Sequence, residues 1–115
     1  MSFELVGSVD DVAKGATISA EVDGIEIAVV HADDDNIYAV RDECSHAAIP
    51  LSEGDVEDGE IECYLHGSRF DLRTGRPLGL PATQPVAVYA CRVDDDTVVV
   101  DVTGPLNSNT LDQEY

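Results

Sequence analysis

The chain is poor in positive charge and in cysteine, and it has no long apolar run. Only six residues are Lys or Arg against 24 Asp or Glu, for a formal net charge of −18, and Lys14 is the single lysine. Such a surface repels phosphate backbones and anionic headgroups, so nucleic acid and acidic membranes are excluded as default partners and a basic-faced protein is favoured. Acidity also serves solubility or a salty cytoplasm, and charge alone does not separate these readings. No apolar stretch approaches a membrane span. The segment Met1-Ser2-Phe3-Glu4 lacks the basic region and apolar core of an export signal, so the expected compartment is the cytoplasm. Three cysteines, an odd number without such a signal, argue against a disulfide framework and for metal ligation or free thiols. A nucleotide loop is missing too. Gly75 and Gly79 do not make G-x-G-x-x-G after a strand, so hydride exchange with a nicotinamide is not expected.

What is present is enough for one modest core: 115 residues, 43% of them apolar. Short β-rich runs at residues 3–7, 17–22, 25–31, 37–41, 69–72, 85–93 and 97–102 alternate with turn residues, Asp23-Gly24 and Glu57-Asp58-Gly59-Glu60 among them. Ser8 followed by Asp10 and Asp11 predicts a capped helical turn closed by Gly15. Pro77, Gly79, Pro81 and Pro85 keep the stretch before the last hairpin irregular but stiff. There is no internal repeat and no long helix. The pattern predicts an all-β sandwich or small barrel over residues 1–103, with 104–115 as a flexible, polar tail, and a monomer.

Two short ligand pairs stand out against this scaffold: Cys44-Ser45-His46, and Cys63-Tyr64-Leu65-His66-Gly67. Thiols and imidazoles together make a soft-plus-borderline metal site. Residues 37–41 lead to the first pair, and a strand leaving the turn at residues 57–60 runs into Cys63. Both pairs thus follow predicted strands and are expected on neighbouring loops that face each other. One structural Zn²⁺ in a closed tetrahedral site is one reading. A [2Fe–2S] cluster, one iron on both cysteines and the other on both histidines, is the second. Structural zinc usually takes like ligand beside like, as C-x₂₋₄-C and H-x₃₋₅-H. Here each loop carries one Cys and one His, so each can reach both irons of a binuclear centre, which favours the cluster.

The segment resembles the Rieske iron–sulfur family, with its C-x-H, an intervening stretch, and C-x-x-H followed by glycine. Gly67, Ser68, Phe70, Asp71, Thr74 and Gly75 are similar to the family's H-G-S-x-F-D-x-x-T-G run, and the likeness extends to about Val102. Tyr64 departs from it, since many members have proline there. Within the family the chain looks most like the small soluble ferredoxins of oxygenase systems. The resemblance implies a β-sandwich or barrel base carrying a small cluster-binding subdomain of two ligand loops. A third, proline-containing loop would cover the cluster, with Leu78-Gly79-Leu80-Pro81 as its candidate. It also implies Cys44, His46, Cys63 and His66 as cluster ligands, the histidines near the surface, a flavin-dependent reductase as donor and a terminal non-haem iron oxygenase as acceptor. Glu43, Glu53 and Asp55 are candidates to steer basic docking faces. Rieske centres span about −150 to +300 mV. High-potential members add a loop–loop disulfide and a tyrosine hydroxyl; Ile49, Leu65 and Phe70 stand at those positions, leaving Ser68 as a donor, so the low end is expected.

The other chemistry-bearing residues carry blander readings. Once His46 and His66 are used only His31 remains, too few for a mononuclear iron site, and an isolated His31 reads as structural or solvent-facing. Cys91, on an apolar strand, reads as a buried inert thiol. The aspartates at 33–35 and 94–96 read as hairpin turns, without EF-hand spacing. The expectation is a one-electron carrier, not an enzyme. A Rieske protein tied to iron–sulfur assembly or another redox pathway, a zinc-stabilised interaction module and a nitrite reductase small subunit are the alternatives.

Overall fold

Val, Ile and Ala dominate residues 25–32 and 86–102, and these runs build the larger of two antiparallel sheets. A computed structural model describes residues 3–32, 34–43, 50–63, 67–78 and 85–107. The large sheet contains β1 (Glu4–Ser8), β2 (Thr17–Val22), β3 (Ile25–His31), β4 (Ile37–Arg41), β8 (Val88–Asp94) and β9 (Thr97–Asp101), in the order β1-β9-β8-β4-β3-β2. Its two edges, β1 and β2, curl back into contact, so the sheet nearly closes into a barrel. The small sheet holds β5 (Val56–Glu57), β6 (Glu60–Glu62) and β7 (Arg69–Asp71), in that order. The all-β expectation, a barrel-like base with a small subdomain, is borne out.

β3 explains why its sequence runs apolar instead of alternating: both its faces are covered. Ile27 and Val29 point into the barrel with Ala39, Tyr89, Val98 and Val100. Ala28 and Val30 point the other way, into a second core shared with Val40 and Val88 and roofed by Leu51, Ile61, Cys63, Phe70 and Leu72. Phe70 is completely buried there, a contribution of about 2–3 kcal/mol from apolar area alone. The small sheet is therefore stable only as a lid on the base, since strands of two or three residues bury too little to stand alone.

The turns follow the residue types. Asp23-Gly24 joins β2 to β3 with both φ positive, at 52° and 80°, and Asp58-Gly59 joins β5 to β6 at 54° and 74°. These are the primed turns whose twist matches the flanking strands. Ser8 caps a 3-10 turn, Val9–Asp11, and Asp11 bonds back to the Ser8 N–H. That turn ends at Val12, earlier than the expected closure at Gly15, because the chain turns again and Gly15 N–H donates to His31 O (2.6 Å). β8 starts at Val88 instead of residue 85, as Pro85 offers no N–H to a ladder.

Past β9 the chain stays attached. Thr103 bonds Asp101 through its N–H and its hydroxyl, and Leu106 N–H donates to Val88 O (2.7 Å). Within 104–107, Leu106 and Asn107 bond the backbone of Val88 at the start of β8. Residues 108–115 lie outside the described residues.

Candidate metal centre

Of the four expected ligands, Cys63 is described, and Cys44, His46 and His66 lie outside the described residues. Cys63 continues β6 by one residue and, two positions from Ile61, shares its buried face. Its N–H donates to Ser68 O (2.6 Å) and its carbonyl accepts from Gly67 N–H (2.9 Å). The β6–β7 ladder, which pairs Glu62 with Arg69, is thereby extended by one step and closed at the neck. Residues 64–66 lie outside the described residues. Ser68 is fully buried on the returning side, and Phe70 two residues on faces the same core.

The other arm leaves β4 at Arg41 and returns at Pro50. Asp42 holds these two ends together: its nearly buried carboxylate accepts from Ser52 N–H (2.7 Å) and from the Ser52 hydroxyl (2.7 Å). Asp42 N–H in turn donates to Glu26 O on β3 (2.9 Å). A 3-10 turn, Leu51–Glu53, follows and drops Leu51 into the shared core. At Gly54 the returning arm passes directly over β6. A Cβ there would sit 1.6 Å from Glu62 O, and Glu62 N–H donates to Asp55 O (2.8 Å). The returning end of the first motif's loop is therefore hydrogen-bonded to the residue preceding Cys63. The flanks of the two motifs are thus adjacent, while the first pair, Cys44 and His46, and residues 64–66 of the second lie outside the described residues.

A third arm starts beside the second. Leu78 N–H donates to Arg69 O (2.8 Å), Pro77 bridges to Phe70, and Asp71 N–H donates to Arg76 O (2.9 Å). Leu78, the first residue of the expected covering loop, is half exposed; Gly79, Leu80 and Pro81 lie outside the described residues. Tyr64, Ile49, Leu65 and Asp33 do as well.

Ion pairs lace the small sheet and tie it to the base. Arg69 bonds Glu60 (2.6 Å) and Glu62 (3.4 Å), and the Glu60 hydrogen bond holds its guanidinium above the ordinary value. Arg73 reaches Asp34 (3.2 Å) and the Tyr38 hydroxyl (3.4 Å) across the two sheets. The Asn36 N–H, then Tyr38 and Arg73, lower the Asp34 pKa to about 2. His31 is largely buried, with Nδ1 on Val12 O (3.0 Å) and Nε2 on Asp35 Oδ1 (2.8 Å), a structural role as expected. Burial pushes the Cys91 thiol up to about 11, which fits an inert thiol. The roles of Asp42, Ser52 and Gly54 have no local signature: nothing in the neighbouring residues marks the contacts of Asp42 with Ser52 and of Gly54 with Glu62.

Residues 2–90 match the family model for the Rieske [2Fe–2S] domain. The chain is similar to the anthranilate 1,2-dioxygenase ferredoxin subunit of Burkholderia cepacia, at 41% identity over 97 residues, covering 84% of this chain and 89% of that one. It is similar in structure to the ferredoxin of carbazole 1,9a-dioxygenase from Nocardioides aromaticivorans IC177, with TM-score 0.81, 39% identity, and coverage of 87% of this chain and 97% of that one. A further match is a chain in a complex of reduced oxygenase and oxidised ferredoxin in carbazole 1,9a-dioxygenase, with TM-score 0.79, 32% identity, and coverage of 85% and 91%.

Proposed function

The chain belongs to the Rieske [2Fe–2S] domain family, and on that premise we propose that it is the one-electron carrier of an oxygenase system. It is the electron-transfer component and not the catalyst. In this reading Cys44 and Cys63 bind one iron and His46 and His66 the other. The observation that carries it is the setting of Cys63: buried at a closed hairpin neck, with the first motif's arm bonded to the residue before it. The donor set fits the group. A thiol suits iron, and Leu51, Ile61, Phe70 and Leu72 exclude water on the protein side.

When bound, a [2Fe–2S] cluster with two neutral imidazoles supplies a one-electron couple at higher potential than a four-cysteine cluster. The chain's own residues hold and orient it. Asp42 and Ser52 fix the ends of the first arm, Gly67 and Ser68 close the second, and Arg76–Leu78 brace the second from outside. Fully buried Phe70, where other members have a hydroxyl, supports a potential at the low end of the range.

The acceptor is a terminal non-haem iron oxygenase and the donor a flavin-dependent reductase, each docking through a basic face. Support comes from the relative in complex with an oxygenase and from the acidic surroundings of the first arm. Glu43, Glu53 and Asp55 are exposed there. Beside them a cleft of about 520 Å³ is lined by Glu21, Glu26, Asp42 and Glu53. Association should weaken as salt rises. The carrier works as a cytoplasmic monomer in this proposal; among the described residues no helix is long and apolar enough to cross a membrane.

Anaerobically purified protein should contain iron and acid-labile sulfide in equal amounts and show a rhombic EPR signal on reduction. One zinc per chain with no sulfide sinks the reading and leaves a zinc-stabilised module. Replacing His66 with Cys should shift the potential downward; an unchanged potential and spectrum would remove His66 from the ligand set.

A further inference from the structure

When β9 ends at Asp101 it abandons the start of β8. Val88 is buried, and its N–H and C=O face away from β4, which at this point bonds Ala87 O through Arg41 N–H. Buried backbone groups need partners. Leu106 and Asn107 supply them: Leu106 N–H donates to Val88 O (2.7 Å), and Asn107 Oδ1 accepts from Val88 N–H (3.0 Å).

The opposite end of the same amide does something else. Asn107 Nδ2 donates to Val86 O (2.8 Å) and to Thr74 O (2.9 Å). Thr74 belongs to the turn that leads out of β7, so one side chain bridges the base and the small sheet. The junction is tight. Val86 N–H donates to Gly75 O (2.9 Å), and a Cβ on Gly75 would lie 2.1 Å from Val86 O and 2.6 Å from Asn107 Nδ2. Gly75 also takes φ +75°, so only glycine fits both demands. The same turn is bonded to β7 through Gly75 N–H and Asp71 O (2.7 Å), and β7 is the returning strand of the Cys63 hairpin.

We infer that Asn107 is a positioning residue for the metal centre: its amide fastens the Thr74–Gly75 turn to Val86 and Val88 and so holds the Cys63 hairpin at a set angle on the base. Asn107 lies beyond the stretch matched by the family model and beyond the expected end of the domain. The inference rests on the cluster reading above, and its test separates the two.

Full-length wild type, Asn107→Ala and Asn107→Asp are compared. Aspartate keeps the acceptor for Val88 N–H but has no donor for Thr74 or Val86, so it breaks the bridge and keeps the Val88 bond. Amide exchange at Val86 should speed up in both variants, and at Val88 in the alanine variant alone. Visible absorbance under an iron chelator should decay about tenfold faster in both, the equivalent of one or two lost hydrogen bonds. The EPR line of the reduced protein should broaden in both as well. Wild-type exchange, decay and EPR line shape in Asn107→Asp would overturn the inference, and so would a lowered melting temperature with decay and EPR unchanged. Wild type without iron or sulfide would sink the cluster reading instead, while exchange at Val86 would still judge the bridge.

Discussion

The six-stranded base and the three-stranded lid use similar residues but are held in different ways. Strands of five to seven residues build the base around an apolar interior of Ile27, Val29, Ala39, Val98 and Val100. Strands of two or three residues build the lid, and polar fasteners give it shape: Asp42 on Ser52, Arg69 on Glu60 and Glu62, Arg73 on Asp34 and Tyr38, Asn107 on Thr74. The base is specified by many interchangeable apolar contacts, and such cores tolerate change gradually. The fasteners in the lid are few, and each depends on particular donors and acceptors meeting. The lid also carries Cys63, a ligand in the proposed cluster, so a defect there should be read by the cluster before it is read by the fold.

Pairing one defect from each region tests that difference most sharply. Ile27→Ala opens a cavity inside the barrel and should cost about 4 kcal/mol in denaturant unfolding. Iron per folded chain should nevertheless stay at the wild-type level. Gly54→Ala forces a methyl onto Glu62 O and should cost about 3 kcal/mol, with most of the iron lost because the two arms are pushed apart. Equal iron retention in the two variants would erase the distinction.

A smaller effect should come from Asp42→Ala. It strips the Ser52 N–H and hydroxyl of their shared acceptor at a half-buried site, at about 2 kcal/mol. Chelator challenge should remove its iron faster than from wild type, and Asp42→Asn, which keeps one acceptor oxygen, should fall between them.

The smallest effect is confined to acid. The Asp34 pKa is lowered from 3.8 to about 2, first by the Asn36 N–H and then by Tyr38 and Arg73. A depressed carboxylate pKa adds stability that is fully present above the unfolded value and lost as pH falls through the folded one. Thermal melts of Asp34→Asn should therefore show a shallower pH slope between 3.8 and about 2 than wild type, with little difference at neutral pH. A steep slope retained in the variant would place the acid sensitivity elsewhere.

Strand positions were readable wherever a face is regularly buried or both faces are, as in β2, β3 and β4, whose limits match the apolar runs. The Asp-Gly turns were readable because positive φ at both positions is a property of those residues. Cys63 announced its place through the strand ahead of it. Gly54, Ser52 and Asn107 gave no signal. Gly54 looks like any loop glycine until Glu62 is seen beneath it, and Asn107 sits in a polar stretch without a strand pattern.

Residue types along a line state which segments extend, where they turn and which atoms can bind a soft metal, because those are properties of neighbours in the chain. Which backbone crosses over which, and which buried N–H is left wanting a partner, depends on residues far apart in sequence meeting in space. For this protein the two Cys/His motifs proposed to hold the cluster are legible in the first way, and the clamps that hold Cys63 on the base exist only once the two sheets are stacked.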